Sequence, residues 1–409
     1  ELLSGRDPAN GRQLRAGRRD ATAGFDLTFC APKSVSLLGM LAPREIAHEV
    51  VAGHEAAVDD ATGFLDRAAI GVRRARGGEQ LRLGATGAAA GAFLHRTSRA
   101  LDPHLHTHLV VANVAHGVDG DWSSLDSRRL FRHSSAIRAV YHARLRAELT
   151  ARLGVAWDVR PSGMGDVVGV DPVLRGLFSG RSADIAEHLH GRRLSSRAGG
   201  ARSRRITALV TRPQKDRTRS VDDLVDVWRA SALEHGFPPG ELTRVVGLGR
   251  TGSARLAAPE GLGASRLVDD GLGPDLEQLE RRLRTLGRSG RELSRPQVLA
   301  EVAASSVRGA SSTAIDAFAD GLVHAAGSAP ASRQGRGQEP GSERRWPGAS
   351  LADALARVRE GALSGRERVP SAPGWEGVAL RQAIDRAATV GTRREPGRVV
   401  ELHQIDLGR

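Results

Sequence analysis

The chain has 409 residues, one cysteine and a formal net charge of +13. That length allows two or three domains with a sizeable core. No apolar run reaches membrane-spanning length and no signal peptide is visible, while the lone Cys30 excludes an internal disulfide and fits a reducing cytoplasm.

The positive balance suits a polyanion, with nucleic acid first in line. Lys33 and Lys215 are the two lysines, so arginine carries the charge. A high-GC coding bias would give the same richness in Arg, Ala and Gly, yet arginine still grips phosphate through two N–H groups at once. Aromatic residues make up 3% of the chain, too few for a broad base-stacking platform.

Residues 2–20 are polar and rich in Gly and Arg, and read as a loop. Residues 25–31 alternate apolar and polar side chains, the mark of a strand. Pro32 then opens a helix near Lys33, with Val35, Leu37, Leu38 and Leu41 as its core side. A second helix runs from Pro43 to Asp66, with Ile46, Val50, His54 and Val58 on a helical period. His48 and His54 are expected to be surface or packing residues. Residues 67–83 read as a strand pair with a basic turn.

Residues 92–114, AFLHRTSRALDPHLHTHLVVANV, hold the clearest chemistry. His106 and His108 sit two apart in a β-branched, apolar run. Strand side chains alternate between faces, so these imidazoles share a face and Thr107 points away. His95 lies on a second strand, and Asp102-Pro103 signals the turn between the two. A hairpin there brings His95 beside the pair, and three neutral imidazoles at one point make a metal site with open positions. The bland alternative is an HxH pair on a strand by chance.

A turn at residues 116–120 follows, and then DWSSLD, a short strand leading into a helix. Residues 127–154 are helical, with Ile137, Val140, Tyr141, Leu145, Leu149 and Leu153 as an apolar stripe and Gly154 as C-cap. VAWDVR and DVVGVD form a closing hairpin. Strands and helices segregate rather than alternate, which predicts an α+β fold: an antiparallel sheet with packed helices, followed by a mostly helical C-terminal region. Short helices are expected at 182–190, 276–286, 294–305, 312–324, 351–361 and 378–388. Residues 191–205 read as a basic loop, 206–216 as a stretch leading to an amphipathic helix at 220–237, 240–273 as Gly-rich and weakly patterned and 328–350 as a linker. The domain division is therefore 1–236, 237–327, 328–350 and 351–409.

HRTSR and LHTHLVVANV together resemble the histidine-triad signature of conjugative relaxases of the TrwC type, the relaxase–helicase (MobF) family. GFDLTFCAPKSVSLL resembles that family's strand-to-helix hallmark, and GDWSSLDSRRLF and LFSGRSADI recur in family order. The resemblance covers roughly the first 236 residues. It implies a histidine-bearing antiparallel sheet and a divalent ion, magnesium or manganese, held by His95, His106 and His108. Ligand preference alone leaves zinc, copper and manganese open. It also implies a catalytic or orienting role for Asp26, DNA contacts from Arg99 and Lys33, and His104 at the border of the site where the family more often has Gln. The implied partners are single-stranded DNA at an origin of transfer and a conjugative secretion machinery.

Two departures qualify the resemblance. The family's nucleophilic tyrosines precede the GFDLTF strand, whereas this chain has one tyrosine, Tyr141, on the apolar stripe of a long helix. The expectation is a relaxase-like domain without its N-terminal tyrosine segment, inactive as it stands. The phosphate-binding loop of the family's helicase region is also missing. A non-catalytic DNA-binding remnant is the alternative, and a hydrolase or oxygenase with a three-histidine metal is a third reading.

Overall fold

The computed structural model describes residues 1–15, 22–76, 79–180, 220–251, 274–327 and 344–364. The expected elements at 182–190, 191–205, 206–216 and 378–388 lie outside the described residues, as does most of 240–273.

The fold is α+β. Its sheet runs in the order β1 (Gly24–Cys30), β4 (Pro103–Gly117), β3 (Glu79–Thr97), β2 (Gly71–Arg76), with β5 (Trp122–Ser123) paired to the far end of β4. All these pairings are antiparallel. One face carries Phe29, Leu105, Leu109 and Val111 into the core. Three helices cover that face: α1 (Lys33–Leu41), α2 (Arg44–Ala68) and α3 (Ser127–Leu153).

The apolar periods predicted from sequence are the buried stripes. Val50, His54 and Val58 of α2 are buried, as are Ile137, Val140, Tyr141, Leu145, Leu149 and Leu153 of α3. Asp126 caps the N-terminus of α3 by accepting from the Arg128 amide, and Gly154 ends the helix at φ 62°. The two long helices meet closely at Gly53, where an added Cβ would lie 2.8 Å from Leu149.

Two local expectations are revised. Residues 79–97 form one strand of 19 residues, not a short strand followed by a separate histidine strand. The GATGAAAGA run in its middle offers no hydrophobic alternation to read, and its register slips between Ala85 and Ala90. The N-terminal loop is also more than a polar lead-in. It makes a single turn at Leu2–Ser4 and folds back through an Arg6–Gln13 bridge. Leu14 then packs with Ala112 and Val114 on the face of the sheet that the helices leave uncovered.

A short hairpin, β6 (Trp157–Val159) and β7 (Gly165–Val167), closes against α1. Ser34 Oγ donates to Asp166 Oδ1 at 2.7 Å and accepts from the Val167 amide at 3.0 Å. Next come α4 (Pro172–Leu177) and α5 (Val221–Glu234), the latter opened by a Ser220–Asp223 capping box. The C-terminal region is helical: α6 (Leu276–Arg288), α7 (Arg295–Ser305), α8 (Ser312–Gly327) and α9 (Gly348–Ser364). Strand β8 (Glu292–Ser294) pairs with β9 (Arg345–Pro347), so β9 and the start of α9 occupy part of the stretch expected to be a linker.

Helix α7 packs directly on α3. Arg146, 1% exposed, fixes that contact. It donates to the carbonyls of Ser306 (Nε 3.1 Å, Nη2 2.8 Å), Ala303 (2.9 Å) and Gly163 (2.6 Å). Burial lowers its pKa to about 10. Among the described residues no helix is long and apolar enough to cross a membrane.

Candidate metal centre

The site is built on the sheet face opposite the helices. His95 of β3 and His106 of β4 are directly paired across the antiparallel ladder, so their side chains share a face. Alternation along β4 puts His108 on that face and Thr107 on the other. Thr107 duly meets His54 of α2, Oγ1 to Nε2, at 2.8 Å inside the core.

The three rings stand at the corners of a triangle. Each pair of ring centroids among His95, His106 and His108 is 5.2 Å apart. One nitrogen from each ring lies within 4.8 Å of the others.

Neighbours fix the orientation of two rings. His108 Nδ1 lies 2.9 and 2.8 Å from the two carboxylate oxygens of Asp26, and Thr28 Oγ1 is 3.2 Å from the same nitrogen. His106 Nδ1 meets the His104 carbonyl at 2.9 Å. A carboxylate and a carbonyl only accept, so both Nδ1 atoms donate and the lone pairs fall on Nε2. A metal-binding imidazole is held in this way. Burial lowers the pKa of His106, opposed by its bond to the His104 carbonyl. Neutral imidazole is the ligand form, so the donor set fits a divalent ion.

Asp26 therefore reaches the site through His108. In the β1–β4 register it faces Val110, diagonal to His108 on the same side of the sheet. Sequence pattern placed Asp26 on a strand but held no sign of which strand would lie beside it.

The remaining expected residues sit around the rim. His104 lies two residues before His106 with ring centroids 4.6 Å apart, outside the three-nitrogen cluster. Burial, then the charge of His106, brings its pKa down to about 3. Lys33 opens α1, and its Nζ donates to the Pro103 carbonyl at 2.8 Å, with its pKa lowered by burial. Arg99 sits half-buried in the turn between the two histidine strands.

Tyr141 is fully buried on the helix side of the sheet. Its ring packs 5.2 Å from Phe29, its hydroxyl meets His54 Nδ1 at 2.9 Å, and burial raises its pKa well above the ordinary value. It has no access to the imidazole face. Burial also brings His54 down to about 4, followed by the effect of His106. His54, expected to be a surface or packing residue, is a buried link between the strand carrying the imidazoles and α3. Only the fold brings its two partners, 53 and 87 residues away, to its ring.

Comparison with known proteins adds family context. The TrwC relaxase family model matches residues 1–235. The multifunctional conjugation protein TraI of Escherichia coli strain K12 is 32% identical over 249 residues, which is 58% of this chain and 13% of TraI. The chain thus spans a small part of that relative's length. Among solved structures, the metal-free complex of the conjugative relaxase TrwC with OriT DNA is 30% identical, with a TM-score of 0.52 over 58% of this chain and 82% of that one. A copper-bound TrwC complex with OriT DNA gives 30% identity and a TM-score of 0.53, over 58% of this chain and 80% of that one.

Proposed function

The chain belongs to the TrwC relaxase family, and from that premise we propose that it serves site- and strand-specific transesterification of single-stranded DNA at an origin of transfer. In this reading His95, His106 and His108 hold a divalent ion, magnesium or manganese. The observation that carries it is the triangle of imidazoles, with one nitrogen of each within 4.8 Å of the others.

When bound, such an ion supplies positive charge to the non-bridging oxygens of a scissile phosphate. The protein's own work is positioning. Asp26 fixes the ring angle and proton of His108, and the His104 carbonyl does the same for His106. Three neutral imidazoles leave the ion's charge undiminished. Arg99, in the turn between the histidine strands, and Lys33, at the start of α1, are the cationic groups this reading assigns to the DNA backbone. A place in the cytoplasm and work beside a conjugative secretion machinery belong to the same proposal.

Strand transfer in this reading needs a tyrosine whose oxygen bonds to phosphorus as the P–O3′ bond breaks, leaving a 5′ phosphotyrosyl link and a free 3′ hydroxyl. Tyr141 is the one tyrosine in the sequence and is fully buried on the other side of the sheet. The 409 residues are therefore expected to bind DNA and metal without forming a covalent adduct. Within these 409 residues that burial favours a second reading, a single-stranded DNA-binding remnant that catalyses nothing by itself.

Mn²⁺ titration calorimetry and DNA-binding anisotropy, on the wild type and His106→Ala, separate the two. The metal reading expects Mn²⁺ binding that His106→Ala abolishes and DNA binding that Mn²⁺ strengthens. DNA affinity and salt dependence unchanged by His106→Ala, with no Mn²⁺ binding in either protein, would leave the remnant reading.

A further inference from the structure

The turn joining the histidine strands holds Leu101 at φ 59°, the one non-glycine residue with positive φ among the described residues. A residue with a side chain in that region is strained, and persists where the surroundings over-determine it. Part of the restraint is local. Ser98 Oγ accepts from the amides of Ala100 at 3.2 Å and Asp102 at 3.1 Å. Two backbone bonds, Ser98 to Asp102 at 2.9 Å and Leu101 to Ser98 at 3.1 Å, close the loop.

The rest comes from a distant helix. The Leu101 carbonyl accepts from Trp228 Nε1 at 2.8 Å across 127 residues of sequence. Trp228 is the middle of the buried stripe Leu224, Trp228, Ala232 on α5, and is 4% exposed. The next residue, Arg229, donates to the Ala42 carbonyl at 3.0 Å, just past the end of α1. The first residue of α1, Lys33, holds the Pro103 carbonyl. Two donors from separate helices thus grip the turn at carbonyls two residues apart.

This turn governs the angle between two of the three imidazoles. It leaves β3 two residues after His95 and enters β4 three residues before His106, and the ladder is already irregular between His95 and Thr97. The turn and the ladder together set how the backbones carrying His95 and His106 meet, and the His104 carbonyl then orients the His106 ring.

We propose that Trp228 is a positioning residue for the histidine centre, its indole N–H holding the strained Leu101 turn so that His95 and His106 converge. The proposal rests on the metal reading of that centre. A tryptophan that only docks α5 would lose stability on substitution but leave the turn and the imidazoles alone.

The test uses the full chain, with Mn²⁺ titration calorimetry and amide hydrogen exchange across the turn as independent readouts. In Trp228→Phe, exchange at Leu101 and Asp102 rises while that of α3 holds, and Mn²⁺ affinity falls about three- to ten-fold, the size of one buried hydrogen bond. Leu101→Gly, which removes the strain, returns the Trp228→Phe protein to within about two-fold of wild-type affinity. Should Trp228→Phe fail to fold, Leu101→Val carries the test, because a β-branched residue resists this φ and weakens Mn²⁺ binding several-fold with α5 untouched. Unchanged turn exchange and Mn²⁺ affinity in Trp228→Phe, or unchanged affinity in Leu101→Val, overturns the proposal. Equal Mn²⁺ binding by wild type and His106→Ala instead overturns the metal reading, and turn exchange then decides the role of Trp228 by itself.

Discussion

Replacing Arg146 with methionine should be among the most damaging single changes outside the histidine face. The guanidinium is 1% exposed and makes four hydrogen bonds to three buried carbonyls, those of Gly163, Ala303 and Ser306. Two of these carbonyls lie at the C-terminal end of α7, where the helix dipole favours a cation. Methionine fills much of the same space but donates nothing. The Gly163 carbonyl would lose its donor, while those of Ala303 and Ser306 would keep the amides of Ser306 and Gly309; at about 1–3 kcal/mol for the first and less for the others, partly offset by release of the buried charge, the net loss is about 2–3 kcal/mol. A domain is stable by only about 5–15 kcal/mol, so the change is large. Lysine should recover less than half, because one ammonium cannot span three carbonyls. Urea denaturation followed by tryptophan fluorescence measures the loss directly. A methionine variant within about 1 kcal/mol of wild type would refute the view that this side chain fastens the C-terminal helices to α3.

Further outcomes follow from the site and the core. Asp26→Asn should weaken Mn²⁺ binding by about ten-fold, the usual effect of losing a partner behind a ligand histidine, and calorimetric affinity within two-fold of wild type would remove Asp26 from that role. Tyr141→Phe should cost about 1 kcal/mol through the lost bond to His54, and no SDS-stable DNA adduct should form before or after the change; an adduct that disappears in this variant would make Tyr141 a nucleophile after all. His142 is buried with its Nδ1 unpartnered, and burial, then Arg146 and Arg138, brings its pKa down to about 3. The unfolded chain takes up a proton near pH 6.5 that the folded chain refuses, so the stability His142 permits is whole above that value and is lost as pH falls toward 3. His142→Leu should therefore gain about 2 kcal/mol more at pH 5 than at pH 8, read from urea midpoints; equal gains at both would show that His142 takes up its proton in the fold as readily as in the unfolded chain.

Much of the imidazole face was legible in the sequence because strand geometry is strict. Two histidines two residues apart must share a face, and a turn signal between two strands fixes which residue meets them. Apolar periods in α1, α2 and α3 were likewise plain, because a helix packed on a sheet leaves a stripe. The Gly/Ala centre of β3 was not legible, since small side chains carry no alternation. Nor was the N-terminal loop's cover over Ala112 and Val114, which rests on three leucines scattered through polar sequence.

The sequence by itself determined the periodic elements, the α+β class and the shared face of His106 and His108, all consequences of chemistry a few residues apart. Only the tertiary structure decided that Asp26 meets His108 across 82 residues, that Tyr141 is sealed behind the sheet, and that Trp228 grips Leu101 across 127. Those contacts depend on which strands neighbour one another and how helices dock. Local propensity does not encode such choices, because they are settled by the burial of the whole core at once.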